Sequence, residues 1–382
     1  MAIKTPIYLD YNATTPVDRE AIEAMMPYFL ENYGNPSSAH SHGWKAEEAV
    51  DDAREKVAQL VNANSNEIVF TSGATESINL AIQGVINSSS LPEKHIITVT
   101  TEHKAVLDVC RHFETEDVEA TYLKVDQKGL IDLTELQTSI RENTVLISVM
   151  YANNETGVIQ SIREIGVIAR ANNVLLFSDA TQSVGKTPVD VGQDNIDLMA
   201  FSAHKLYGPK GVGALYVKRT NLKIELQPLL FGGGHEKGLR SGTLNVPGIV
   251  GFGKACEISL ICLKSEQLRI SILRDEMESK LLEIEGVQIN CKDVRRLPNT
   301  TSASFQDIEA NILIESLAKE ISISTGSACT TNNPEPSHVL KAMGLSSERV
   351  HGSIRISLGK TTTDNELNYL FQRIKELMTV LV

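Results

Sequence analysis

The residues best suited to chemistry in this chain stand at the ends of short apolar runs. In Phe201-Ser202-Ala203-His204-Lys205-Leu206-Tyr207-Gly208-Pro209-Lys210-Gly211, such a run ends in Ser-x-His-Lys and a Gly/Pro-rich loop begins. A lysine held at a strand end beside small hydrogen-bonding groups can form a Schiff base with an aldehyde, once its surroundings free the amine. A solvated loop lysine is the plainer reading of the same residues. What precedes the segment adds weight to the chemical one.

Val174-Leu175-Leu176-Phe177-Ser178-Asp179 reads as a buried strand ended by an acid. An Asp so placed can pair with a protonated pyridine nitrogen, the usual partnership of pyridoxal phosphate (PLP). Gln182, three residues on, can reach a phenolic oxygen. A capping Asp before a helix fits the segment equally well. Ile68-Val69-Phe70-Thr71 is strand-like, and Ser72-Gly73-Ala74-Thr75-Glu76 then turns into a helix through Leu80, Ala81 and Val85. Free N–H groups at a helix start, with the dipole behind them, hold phosphate. Gly73 allows close backbone approach and Thr75 adds a hydroxyl; a plain strand-to-helix turn is the alternative. His103 follows the run from His95 to Val99, where an imidazole can stack on a planar group or move a proton.

Ile321-Ser322-Ile323-Ser324-Thr325-Gly326-Ser327-Ala328-Cys329-Thr330-Thr331-Asn332-Asn333-Pro334 reads as an alternating strand entering a small-residue loop. Cys329 has almost no apolar neighbours, unlike a core cysteine, which points to an exposed and reactive thiol. Beside a PLP site, such a thiol suits attack on a sulfur atom of the substrate.

Together these motifs resemble the cysteine desulfurases of the NifS/IscS type, within the class V aminotransferase group of PLP enzymes. The resemblance runs nearly end to end. It begins at Tyr8-Leu9-Asp10-Tyr11-Asn12-Ala13-Thr14-Thr15-Pro16 and Gly34-Asn35-Pro36-Ser37-Ser38. It continues through Thr71 to Ser77, Thr101 to Val106, Asn153 to Gly157, Asp179 to Ser183, Ser202 to Gly211, Arg240 to Thr243, the Cys329 loop, and Ser353 to Arg355.

The resemblance implies PLP held by Lys205, with Asp179 on the ring nitrogen and His103 stacked on the ring. Asn154 and Gln182 would bond the phenolic oxygen. Thr75, Ser202 and His204 would hold the phosphate, with the backbone amides of Gly73 and Ala74. The glycine-rich stretch from Phe231 to Thr243 would lie at the interface of an obligate homodimer, with Thr243 reaching the neighbour's phosphate. L-cysteine is the implied substrate and alanine the product. Cys329 would take the sulfur as a persulfide and pass it to an acceptor protein, such as an iron–sulfur scaffold. A free thiol with a pKa of about 8.5 is only a few per cent ionised at neutral pH, so local help is expected. Arg355 alternates with Ser353 and Ser357 on one face of a short strand and suits a bidentate clamp on the substrate carboxylate. Asn35 would assist it. A selenocysteine lyase or a class V aminotransferase of the same fold is the rival activity, and neither needs Cys329. A non-catalytic scaffold would need none of these residues. Relatives that dock an iron–sulfur scaffold often use a longer tail than the residues up to Val382 supply, so the resemblance carries no expectation of that mode of docking, and another surface would have to serve.

The elements that must position these residues follow from the pattern. The chain of 382 residues has room for a large and a small lobe. Helices and short apolar strands alternate from about residue 45 to 218, as in a mostly parallel sheet. The expected architecture is α/β, PLP-dependent transferase fold type I. A large domain with a mainly parallel mixed sheet would span 16–260, and a smaller α+β domain 1–15 and 261–382. Helices are expected from Trp44 to Val61, near Leu260 to Leu282, and at the C-terminus with Leu367, Leu370, Phe371, Ile374, Leu377 and Met378 on one face. Net charge is −12 and pI near 5.3, which argues against nucleic acid or an anionic membrane as partner. No apolar run is expected to reach the roughly 18 residues that span a bilayer. The cysteines Cys110, Cys256, Cys262, Cys291 and Cys329 are scattered, without a C-x-x-C pair. That fits neither a disulfide framework nor a zinc site, and a reducing, cytoplasmic setting is expected.

Overall fold

The computed structural model describes residues 4–114, 117–219, 224–325 and 336–381. Cys329 lies outside the described residues. The strands in chain order are β1 (Ile7–Tyr8), β2 (Ile68–Thr71), β3 (Lys94–Val99), β4 (Val118–Leu123), β5 (Thr144–Ser148), β6 (Leu175–Asp179), β7 (Leu198–Ser202), β8 (Gly213–Val217), β9 (Val287–Ile289), β10 (Thr300–Phe305), β11 (Ile321–Ser322) and β12 (Ser353–Ser357).

A seven-stranded sheet in the order β2-β8-β7-β6-β5-β3-β4 forms the centre of the fold. β4, β3, β5, β6 and β7 pair in parallel, and β8 runs antiparallel between β7 and β2. Each of β2, β7 and β8 is buried at every position, which is why these strands read as continuous apolar runs rather than alternations. Adjacent residues still point to opposite faces. Ile97, Ile147 and Met199 join a core with the helices Ser41–Leu60 and Val246–Leu281. Ile96, Leu146 and Leu198 join a core with the helices Ala74–Ser88 and Lys104–Phe113. Because β2 is also parallel to β7, Thr71, Val99, Ser148, Asp179 and Ser202 all end at one edge of the sheet. In open α/β sheets ligands bind at that carboxyl edge.

A second core gathers Ile7, Leu9, Phe305, Leu313, Ile354, Leu370 and Ile374. There β1 pairs in parallel with β11, and β12-β10-β9 form an antiparallel sheet. Helix Val246–Leu281 serves both cores. Ile249, Phe252 and Cys256 pack into the first, while Ile270, Leu273 and Met277 pack into the second. It begins well before the start near Leu260 expected from its charged half. It also corrects the expectation about apolar length: an 18-residue window within it has a mean hydropathy of 1.6 and is 44% buried inside the fold. A helix against a sheet meets the same compositional test as a membrane span.

Burial within the sheet has a pH consequence. His95 on β3 is fully buried, with Nδ1 2.8 Å from Thr144 Oγ1 and Nε2 2.8 Å from Thr121 Oγ1. Burial, aided by the Arg141 guanidinium and opposed by Glu119, pushes its pKa from 6.5 down to about 4. The unfolded chain therefore binds this proton more readily than the folded one. The contribution is intact above pH 6.5 and lost as pH falls toward 4, on the order of 2 kcal/mol after allowing for solvent screening. The urea midpoint should fall across that window, and His95→Gln should flatten part of the fall.

Candidate active site

A cavity of about 600 Å³ opens at the carboxyl edge of the large sheet. Gly73, Ala74, Thr75, His103, Asn154, Asp179, Gln182, Ser202, His204, Lys205 and Arg355 all line it. Two other residues expected from the sequence do not. Asn35 is exposed and accepts from its own loop, Ser37 N at 3.0 Å, and Thr243 is exposed. Neither lines the cavity of its own chain.

One end of the cavity has the chemistry to suit an anion. No side chain caps helix Ala74–Ser88, so its first-turn N–H groups face the cavity beside Thr75 and Ser202. Gly73 has φ of 155°, which favours glycine. Gly213 on β8 lets this turn lie flat on the sheet, since a Cβ there would come 2.7 Å from Gly73 Cα. Glu76, in the same first turn, is held by Arg240 Nε at 2.8 Å and by Ser72 N at 2.8 Å, and these bonds lower its pKa against the cost of burial. His204 Nδ1 lies 3.1 Å from Thr14 Oγ1. Burial, then Lys205, Lys210 and Lys186, pushes the His204 pKa down to about 4, so the ring is neutral at neutral pH.

The other end holds the titratable groups. Asp179, buried at the end of β6, accepts from Thr181 N at 2.9 Å. Beside it the buried Thr181 Oγ1 has no partner among the described residues. Lys205 ends the single turn Ala203–Lys205 that follows β7. Its Nζ donates to Asn12 O and Ala13 O, both at 2.7 Å. His103 caps helix Lys104–Phe113, with Nδ1 accepting from Ala105 N at 3.1 Å, which leaves the neutral ring's proton on Nε2. Burial lowers its pKa; Lys205 and His338 add to this and Asp179 opposes it.

Arg355 projects from β12 and is 3% exposed. It donates to Asp10 Oδ1 at 2.7 Å and to Asn154 O at 3.0 Å, so the second core is tied to the first exactly where the cavity lies. The residues flanking the Cys329 segment sit at the same place. On one side Ser324 N donates to Arg355 O at 3.2 Å and Arg355 N to Ser324 O at 2.6 Å. On the other, Ser337 Oγ donates to Glu155 Oε2 at 2.5 Å, and His338 Nε2 lies 3.0 Å from Glu102 O. His338 and Glu155 both line the cavity.

Sequence reasoning missed Asn12, Lys186, Glu102, Glu155 and His338 as parts of this site. Burial, reinforced by Asp179 and opposed by the Met150 N–H bond, raises the Glu102 pKa well above its ordinary value. Lys186 stands four residues after Gln182 and donates to it, a spacing that is visible in the sequence without the partner being so.

The residues present fit PLP. An uncapped helix start and a glycine-flattened turn suit its phosphate. A buried carboxylate, an imidazole, a lysine and an orphaned Thr181 hydroxyl converge on the space beside that seat.

Comparisons with known proteins agree with this geometry. The aminotransferase class-V family matches residues 7–370. The cysteine desulfurase IscS of Pectobacterium carotovorum subsp. carotovorum (strain PC1) is 50% identical over 377 residues, covering 98% of this chain and 93% of the relative. The protein of the same name from Neisseria meningitidis serogroup C is 50% identical over 376 residues, with the same coverage, 98% and 93%. A solved NifS-like protein superposes with a TM-score of 0.91 at 39% identity, over 98% of this chain and 99% of that one. A structure described as SspA in complex with cysteine gives 0.82 at 39% identity, over 92% and 98%. The uncapped helix start, the strand-end Asp179 and Lys205, and a match over almost the whole length agree: the chain belongs to the class V aminotransferase family of PLP-dependent enzymes.

Proposed function

We propose that this chain is a cysteine desulfurase that converts L-cysteine to L-alanine and takes the sulfur onto Cys329 as a persulfide. The observation that carries the reading is the arrangement around the cavity: Lys205, Asp179, His103 and Arg355 share it, and both residues flanking the Cys329 segment are tied to its rim. Relatives named cysteine desulfurase, half identical over nearly the full length, support the same activity.

PLP, when bound, supplies the electron sink that lets the Cα proton leave. The first turn of helix Ala74–Ser88, with Thr75, Ser202 and His204, would hold its phosphate. Asp179 would hold the ring nitrogen, Gln182 and Asn154 the phenolic oxygen, and His103 would stack on the ring. Lys205 would hold the aldehyde end, and its free amine would take the substrate Cα proton. Arg355 would clamp the substrate carboxylate by N–H donation. The Cys329 thiolate attacks the substrate Sγ. The Cβ–S bond breaks and its electron pair stays with the carbon fragment, which then takes up two protons, one at Cβ and one returned to Cα by Lys205, to become alanine.

The finer organisation belongs to the same reading. A homodimer is supported by apolar side chains exposed on adjoining helices, among them Phe29, Leu30 and Ile261, and by the exposed Thr243, which would reach the neighbour's phosphate. We assign residues 16–260 to the large domain and 1–15 with 261–382 to the small one. The sulfur acceptor would be a protein such as an iron–sulfur scaffold, met in the cytoplasm.

The test is product identity. Purified enzyme given L-cysteine and a thiol reductant should release alanine and sulfide in equal amounts. A keto acid in place of alanine would make the chain an aminotransferase. Turnover of selenocysteine but not of cysteine would make it a selenocysteine lyase.

A further inference from the structure

We propose that Lys186 is a positioning residue of this site: its amine locks the two amides beside Lys205 and tunes how readily Lys205 gives up its proton. The inference rests on the reading of Lys205 given above.

Lys186 Nζ donates to Asn12 Oδ1 at 3.0 Å and to Gln182 Oε1 at 2.6 Å. Both amides are oriented without ambiguity, because their NH₂ groups meet backbone carbonyls. Asn12 Nδ2 donates to Asn154 O at 3.2 Å, and Gln182 Nε2 donates to Asn12 O at 2.9 Å. Each side-chain oxygen must therefore face Lys186, and an ammonium, which can only donate, is what two such oxygens need. With its oxygen taken, Gln182 offers the cavity an N–H, the end that suits an anionic phenolic oxygen. The two lysines also share one residue. Lys205 rests on the main-chain oxygen of Asn12 and Lys186 on its side-chain oxygen.

Two ammonium groups this close raise each other's cost of charging. The carboxylates that face the pair already have other partners. Asp10 is with Arg355 at 2.7 Å, Asp18 with Lys360 at 2.8 Å, and Glu266 with Arg269 at 3.0 Å. Glu155 takes the Ser337 hydroxyl and Asp179 the Thr181 amide. Arg355, Lys210 and Lys360 add positive charge, while burial holds His103 and His204 toward the neutral form. Tyr11 and Tyr207 border the pair from the far side; Tyr11 is bonded to Thr361, and Tyr207 to the Lys360 amide. Burial, then Lys205 and Arg355, drives the Lys186 amine well below its ordinary value. Removing one of two neighbouring positive charges makes the other amine hold its proton more firmly.

The readout is the pH midpoint of the visible absorption of the PLP-loaded enzyme. Lys186→Met keeps the length but removes charge and donors, and its midpoint should rise by about one pH unit or more. Lys186→Gln keeps a donor without the charge and should shift the same way. Lys186→Arg keeps both and should stay close to the unmodified enzyme. If the variants fail to retain PLP, the pH dependence of Lys205 labelling by trinitrobenzenesulfonate in the cofactor-free full chain should show the same rise. An unchanged or lowered midpoint in the Met and Gln variants overturns the proposal. A visible band that survives unchanged in Lys205→Ala would instead overturn the assignment of Lys205.

Discussion

Cys329→Ala should keep the yellow colour of bound PLP and lose sulfide production from L-cysteine by at least ~10³-fold. The size of the loss follows from what the remaining thiols can do. Cys110 and Cys256 are buried, which drives the first pKa up to about 12 and the second well above its ordinary value. Cys291 is pushed up to about 11, again mainly by burial. None of these forms a useful thiolate at neutral pH, and none lines the cavity. Cys262 lines a separate small cavity with Ile258 and Leu263, on the other side of Lys205. No described cysteine can therefore substitute. Retained colour is expected because the phosphate seat, Asp179 and Lys205 lie on the large sheet and its turns, independent of position 329. Full sulfide production by the variant would remove the persulfide step and leave a lyase. Loss of colour together with activity would make Cys329 a structural residue instead.

The parts of the site that local sequence revealed are those whose function needs a particular residue at a strand end. Asp179, Ser202 and Lys205 fall in that class, because a buried parallel strand leaves a continuous apolar run with an abrupt polar stop. The start of helix Ala74–Ser88 was legible for a similar reason: a strand, a glycine and a small hydroxyl residue in succession announce the turn. The parts that stayed hidden are held by distant segments. Asn12 joins Lys205, Gln182, Lys186 and Thr300 in one network, and nothing near residue 12 announces those partners. The strand pattern presents Arg355 as a clamp for the substrate carboxylate, yet it already bridges Asp10 and the Asn154 carbonyl. A carboxylate clamp would have to share that fork with Asp10. Glu102 stood beside His103 in the sequence but showed no reason to be buried; its role appears only once Met150 N and Asp179 are placed around it. The long helix starts earlier than its charged half announces, because its first half is apolar for contact with the sheet and only its second half carries the alternating charge that marks a helix in the sequence.

Lys205→Ala should lower turnover by at least ~10³-fold, and small primary amines should restore part of it. On the proposed reading two functions would leave with the side chain: the hold on the aldehyde end of PLP and the amine that takes the Cα proton. His103 cannot stand in for the second. Its Nδ1 is occupied by the Ala105 amide, and the proton of its neutral ring sits on Nε2, so no lone pair faces the substrate. His204 is similarly engaged, through Thr14. The truncation leaves a channel that ends on two acceptors, Asn12 O and Ala13 O, which now hold the Lys205 ammonium at 2.7 Å each. An added methylamine or ethylamine can lodge there and take the proton in place of the side chain. Recovery should track the free-base concentration of the amine rather than its total, so it should steepen as pH rises. Tertiary amines of equal basicity should do less, since they have at most one N–H for two carbonyls. Recovery by any buffer base regardless of shape would mean that the proton leaves to solvent and that the seat at Asn12 and Ala13 has no part in moving it. Retention of full turnover without added amine would show that another group in the cavity carries the proton, and Lys205 would then only hold the cofactor.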